Sequence, residues 1–280
     1  MKKPLNRALR MWAICATMLL LVGVFSVATY AWFTTNRLVK TDNVQIRSGT
    51  ETLKLEISST ANGTFSQEAD ITQISNAKVL DPVSTADLAT FFKSVTMENN
   101  SANTFAATQD GYYHGQVFLR ATAEGMPTNS VLSLYIDTAG VAVTDTETPG
   151  LLLNAARVGL IFSANPTPII FSLSNEHITG NHNSTTIPNA PDGDFVLNSA
   201  TTAVPDPAVI ATEYTVTEAN GQLNIPQKNL IELPLNTVCT VDIYFYIEGC
   251  DVDCTNDIRA TEMSIQLPFY GVLTEKGGAA

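Results

Sequence analysis

The feature that most constrains this chain is a strict period of two near its C-terminus. Val241, Ile243, Phe245 and Ile247 fall on one side of an extended segment, and Asp242, Tyr244, Tyr246 and Glu248 on the other. Successive side chains alternate in this way only along a strand, so the segment reads as a strand with one buried face. Met263, Ile265, Leu267 and Phe269 alternate likewise with Glu262, Ser264, Gln266 and Pro268, which predicts two long strands joined by an acidic connection. Leu53, Leu55 and Ile57, then Val117, Leu119 and Ala121, then Leu132, Leu134 and Ile136 repeat the pattern, and 157–162 and 168–173 are apolar strand candidates. With 45% hydrophobic and only 15% charged residues the chain can bury a real core. The expectation is an all-β antiparallel sandwich over 51–273.

Two segments depart from that pattern. Ser84 and Asp87 are spaced as an N-cap and its box partner ahead of Leu88, Phe91, Phe92 and Val95, which predicts one short helix over 84–97. Between 179 and 207 the chain is rich in Asn, Ser, Thr and Gly, and Pro188, Pro191, Pro205 and Pro207 oppose regular pairing, so this stretch reads as a long surface excursion. Residues 274–280 read as a loose tail.

The N-terminus fixes location. Lys2, Lys3, Arg7 and Arg10 precede a stretch from Met11 to Asn36 without a charged side chain. A basic flank followed by an apolar run is an export signal or a membrane anchor, and both deliver the remainder to the outside of the cell. Thr29-Tyr30-Ala31 offers small residues at the positions a signal peptidase inspects, with cleavage before Trp32; Ser26-Val27-Ala28 is a second such site. Uncleaved, residues 1–31 anchor the chain in the membrane.

Chemistry is sparsely written. The 15 Lys and Arg against 27 Asp and Glu give a net charge of −12, which opposes nucleic acid as a partner. His114, His177 and His182 are scattered, and no His-Glu-x-x-His pair or Gly-x-Ser-x-Gly elbow occurs. The run from Glu248 to Asp257 places three carboxylates, Asp251, Asp253 and Asp257, within seven residues, a donor set that suits calcium. Glu262 falls where a twelve-residue calcium loop starting at Asp251 takes its last ligand, although Asn256 stands where glycine is usual and Arg259 adds positive charge. The same residues suit a solvated connection with local side-chain to backbone turns, and no other cofactor is expected. Cys15 lies in the leader. Cys239, Cys250 and Cys254 follow it, an odd number, so Cys250 pairs with Cys254, or Cys239 with either.

Thr29-Tyr30-Ala31-Trp32-Phe33, followed by Val44-Gln45-Ile46-Arg47-Ser48-Gly49-Thr50 and the strand from Leu53, resembles the TasA/camelysin group of Gram-positive exported proteins. The stretch from Ile247 to Asn256 is similar to a Glu-Gly-x-Asp-x-Asp-Cys-Thr-Asn signature of clostridial surface proteins. The resemblance implies a jelly-roll-like domain, processing by a dedicated signal peptidase, and a role as a surface or biofilm-matrix fibre. In such fibres a freed N-terminal segment completes the sheet of the next subunit. Here that segment lies within 32–50, with Trp32, Phe33, Leu38, Val44 and Ile46 as its apolar residues, and strand addition supplies the affinity. The partner is then a second copy of the chain, with the membrane a partner only before processing. Two other readings stand beside this one. The first is a membrane-anchored carbohydrate- or ligand-binding sandwich, which requires an exposed aromatic cluster from Tyr112, Tyr113, Tyr244 and Tyr246. The second is the metalloprotease that the camelysin name implies.

Overall fold

The computed structural model describes residues 38–40, 53–75, 80–96, 104–123, 130–138, 140–145, 151–174, 195–251, 253–254 and 263–275. Its frame consists of β1 (Leu53–Ser58), β2 (Tyr113–Ala123), β3 (Ser130–Ile136), β4 (Ala156–Phe162), β5 (Asn165–Ser172), β6 (Ile231–Pro234), β7 (Val238–Glu248) and β8 (Phe269–Glu275). The larger sheet runs β5-β4-β7-β2-β1, and the short strands Thr72–Gln73, Pro82–Val83 and Val209–Ile210 bring it to eight. The smaller sheet runs β6-β3-β8. All-β architecture is therefore what the chain adopts, with a single short α-helix, α1 (Leu151–Ala155), among the described residues.

One core joins the two sheets. Leu55, Val117, Leu119, Val158, Leu160, Val241 and Ile243 of the larger sheet meet Leu132, Leu134, Ile136, Leu233 and Phe269 of the smaller, all at 0–1% exposure. Fully burying each such side chain contributes roughly 1.5–3 kcal/mol, which makes the alternation of β7 a strong determinant of its orientation. β7 is bonded on both sides, to β2 from Val238↔Arg120 to Phe245↔Tyr113 and to β4 from Ala156↔Ile247 to Phe162↔Val241.

Four expectations need correction. β7 does not pair with the strand that follows it: Met263–Gln266 pairs with Ala142–Asp145, and β8 pairs with β3. β7 lies in the larger sheet, Met263–Gln266 in a separate two-stranded pair and β8 in the smaller sheet, and Pro268, between the last two, cannot donate to a ladder. The helix over 84–97 is absent. Thr85 Oγ1 accepts the Leu88 amide at 3.0 Å, Asp87 Oδ1 accepts those of Ala89 and Thr90 at 2.9 and 3.2 Å, and Leu88 takes φ 58°. Thr85 and Asp87 close a tight turn, Ser84 of the expected capping box instead accepts the Leu197 amide on its Oγ, and Phe91–Thr96 then forms a strand against Thr104–Thr108. The excursion over 179–207 carries a hairpin, Phe195–Ser199 with Thr202–Pro205, whose Phe195, Val196 and Leu197 are buried. The tail begins later than 274, since β8 continues to Glu275. No helix among the described residues is long and apolar enough to cross a membrane. The leader, the cleavage residues Thr29, Tyr30, Ala31 and Trp32, and residues 276–280 lie outside the described residues.

The two hairpins and the 85–90 turn form a second layer on the outer face of the larger sheet. Phe91 and Phe92 point to opposite sides of their strand. Phe91 packs with Val83, Leu88, Tyr112, Ile170 and Tyr246, and Phe92 with Phe195, Leu197 and Cys250. Leu88 seats on Gly159, the outward-facing position of β4 opposite Tyr244. A Cβ at Gly159 would lie 2.5 Å from Leu88 Cδ1, so glycine is required for this close approach. Gly159→Ala is expected to destabilise the domain by about 1–3 kcal/mol through overpacking. In urea melts, combination with Leu88→Ala should cost less than the sum of the two single changes.

Candidate functional site

The outer face of β7 grades from wet to dry along its length. Asp242 is part-exposed, Tyr244 is half-buried, and Tyr246 and Glu248 are buried at 1% exposure. Their sequence position predicts that all four point away from the core. They do, but the last two lie beneath the second layer.

At the dry end stands Arg157, the outward residue of β4 opposite Tyr246. Its Nη1 donates to the carbonyls of Asn154 at 2.6 Å and Ala156 at 3.2 Å, which caps the end of α1. Its Nη2 donates to Asp251 Oδ2 at 2.7 Å and Asp206 Oδ2 at 3.2 Å. The side chains of Arg157, Asp206 and Asp251 are exposed by 1%, 4% and 1%. Burial alone would push the guanidinium pKa down, but Asp206, Asp251 and Glu248 hold it above its ordinary value. The remaining carboxylate oxygens organise loops: Asp206 Oδ1 accepts the Ala208 amide at 2.8 Å, and Asp251 Oδ1 accepts the Asp253 amide at 2.9 Å.

Glu248 completes the cluster. Its Oε1 accepts the Cys250 amide at 3.0 Å, while its buried Oε2 and the buried Arg157 Nε have no hydrogen-bond partner. Burial, with Asp206 acting in the same direction, pushes the Glu248 carboxyl up to about 8 against the opposing effects of the Ser84 hydroxyl, Arg157 and the Cys250 amide. Burial, then Glu248 and Asp206, also raise the Tyr246 hydroxyl well above its ordinary value.

At the wet end His114 Nε2 lies 3.0 Å from Asp242 Oδ1, which also accepts Gln116 Nε2 at 3.0 Å. The His114 bond, then that from Gln116, lowers the Asp242 carboxyl against the effect of its partial burial. The His114 ring stacks on Tyr244 with centroids 4.3 Å apart and planes within 4°. Phe91 stacks on Tyr112 at 3.7 Å and contacts Tyr244 and Tyr246, so these rings form one continuous stack.

The structure redistributes the residues singled out in the sequence. Asp251 is turned inward, where its Oδ2 accepts a hydrogen bond from Arg157. Its partner in the acidic motif, Asp253, donates its amide to Asp251 Oδ1, while Asp257, Asn256, Arg259 and Glu262 lie outside the described residues. No group of three His, Cys, Asp or Glu side chains converges on a metal position among the described residues. Cys239 and Cys250 are buried thiols at opposite ends of β7, about 30 Å apart at strand rise, which rules out a bond between Cys239 and either of the other two within one subunit. Cys250 packs on Phe92, Phe195 and Leu197, whereas Cys254 packs beside Leu152, Ala155 and Ile247. Cys250 is therefore not bonded to Cys254 in this structure. Of the assembly residues, Leu38 lies in the short strand Leu38–Lys40, paired with Glu68–Asp70 of the same chain; Trp32, Phe33, Val44 and Ile46 lie outside the described residues, as do His177 and His182. Arg157 and Asp206 were not singled out in the sequence, and Glu248 was read only as an outward strand position and the start of the acidic run, although a single Arg or Glu within an otherwise apolar strand is the signal that finds Arg157 and Glu248.

The buried cluster is shielded from substrates by the second layer and does what a staple does: it joins β4, α1, the 206 loop and the 249–254 turn. Comparisons with protein-family models, curated proteins and solved structures find no match. Arg157→Ala leaves two buried carboxylates uncompensated and should cost about 3–5 kcal/mol in urea unfolding. Arg120→Ala, at a part-exposed pair with Glu56, should cost about 1 kcal/mol or less. Millimolar calcium should leave the melting temperature of the wild-type protein unchanged, as measured by calorimetry, because the Asp251 oxygens are already engaged.

Proposed function

We propose that this chain is an exported, non-enzymatic surface protein with a jelly-roll-like domain that self-associates into fibres through the N-terminal segment 32–50, freed when residues 1–31 are removed. The observation that supports this reading is the edge of the smaller sheet. Among the described residues β8 is hydrogen-bonded only to β3, and it carries no proline to blunt that edge, whereas the opposite edge strand β6 ends in Pro234. An open strand of seven residues above a buried core is a template for a strand from elsewhere. The buried residues that build the core begin at Leu55 among those described, so the proposed donor lies upstream of the framework it completes.

The pairing of Leu38–Lys40 with Glu68–Asp70 is compatible with donation as an exchange. It spans three residues, and the same contact can form between neighbours when the segment is swapped. The competing ligand-binding reading needs an exposed aromatic platform. Tyr112 and Tyr246 are buried at 8% and 1%, which leaves Tyr113 and Tyr244 to supply it.

Mass spectrometry of exported protein should find Trp32 at its N-terminus. Sedimentation should show that the mature protein polymerises and that a version starting at Glu51 is a folded monomer. Unfolding of the truncated version would make the segment an ordinary strand of its own subunit, and a mature protein that stays monomeric across pH and salt would end the fibre reading.

A further inference from the structure

Three carboxyl groups, Asp206, Asp251 and Glu248, share one guanidinium inside a dry cluster. Asp206 and Asp251 take both hydrogen bonds offered by Arg157 Nη2. Glu248, at 1% exposure, has the Cys250 amide on Oε1 and the Ser84 hydroxyl as hydrogen-bond partners, no ion-pair bond, and an Oε2 without a partner. Full ionisation would bury three negative charges against one positive charge, a costly arrangement in a dry site. A proton on the carboxyl that has no ion-pair partner removes the excess.

We propose that Glu248 is a proton-set latch: protonated it holds the second layer closed over the larger sheet, and loss of its proton releases the hairpin at 195–205 and the turn at 249–254. The groups facing it belong to every element that the latch joins. They are Arg157 from β4, Asp206 from the loop after the hairpin, Ser84 from the segment after Pro82–Val83, Tyr246 from its own strand, and Cys250 and Asp251 from the turn. Ser84 adds the mechanical link, since its Oγ accepts the Leu197 amide of the hairpin at 2.8 Å. Raised burial of the charged form gives the sign. The folded carboxyl holds its proton up to about 8, whereas an exposed one loses it near 4.5. Closure is therefore tightest below 4.5, weakens as pH rises between these values, and reaches its plateau of looseness above the upper one.

Amide hydrogen exchange tests the latch at two positions, Cys250 and Leu197, whose amides bond to Glu248 and Ser84. Protection factors, already corrected for intrinsic exchange, should fall by up to about tenfold per pH unit between roughly pH 5 and 8 in the wild-type protein, because one proton is released on opening. In Glu248→Gln they should be flat over the same range. A flat wild-type profile, or the same slope in the variant, overturns the proposal. If the variant does not fold, infrared spectra of wild-type protein carrying 13C-labelled glutamate decide: a protonated buried carboxyl band at pH 7 that disappears by pH 9 supports the latch, and its absence at pH 7 rejects it.

Discussion

β7 is the constraint on which the other elements depend, because it is hydrogen-bonded along both edges and buried on both faces at its C-terminal half. Its inward residues Val241, Ile243, Phe245 and Ile247 are at 0–5% exposure in the sandwich or at its margin. Its outward residues meet a second layer that exists because Gly159 leaves room for Leu88 and because Phe91 and Phe92 divide between two apolar clusters. A strand with one wet face alternates apolar with polar. β7 alternates apolar with aromatic or acidic residues, and the second layer covers the last two of the outward positions, Tyr246 and Glu248.

The buried Arg157 cluster is a costly way to attach that layer. Desolvating a guanidinium and two carboxylates offsets most of their attraction, and apolar side chains of similar volume are often as stabilising. What the ion cluster provides is direction. Arg157 accepts only partners that place oxygen atoms along its donor fork, and here these come from α1, the 206 loop and the 249–254 turn. Apolar clusters around Phe92 and Cys250 hold the same elements together but do not fix their register as hydrogen bonds do.

The strands were legible because alternation is a local signal, and β1, β2, β3 and β7 show it within a few residues. Their partners were not legible. Arg157 and Asp251 are 94 residues apart, and nothing in either neighbourhood encodes the meeting. The acidic run near 251 illustrates the same limit: spacing suggests a cation, whereas the fold supplies one from a protein side chain. Asp87 fits both a helix cap and a polar turn, and the adjacent Phe91-Phe92 pair, each with its own apolar cluster on opposite sides of a strand, decides for the turn and strand. Pro205 misled in a different way. It stands at the last position of a two-stranded hairpin, where a missing amide donor is tolerated.

Charge bears on how copies of such a chain could meet. Residues 32–50 carry Arg37, Lys40 and Arg47 against Asp42, a net of +2. Residues 51–280 carry the 8 remaining basic residues that follow the segment and 26 acidic ones, a net of −18. Two acidic bodies repel, so self-association through their general surface is disfavoured at low ionic strength. A basic strand offered to an acidic body is attracted instead, and Lys40 is the register partner of Glu68. Under the proposed self-association, the same distribution would oppose random edge-to-edge contact between folded domains while favouring the contact that uses the segment, which is how electrostatics confers specificity more than strength. Since both partners are solvent-accessible charges, this selectivity is bounded by a Debye length of about 8 Å at physiological ionic strength, and beyond that distance only strand pairing and side-chain burial can hold neighbours together.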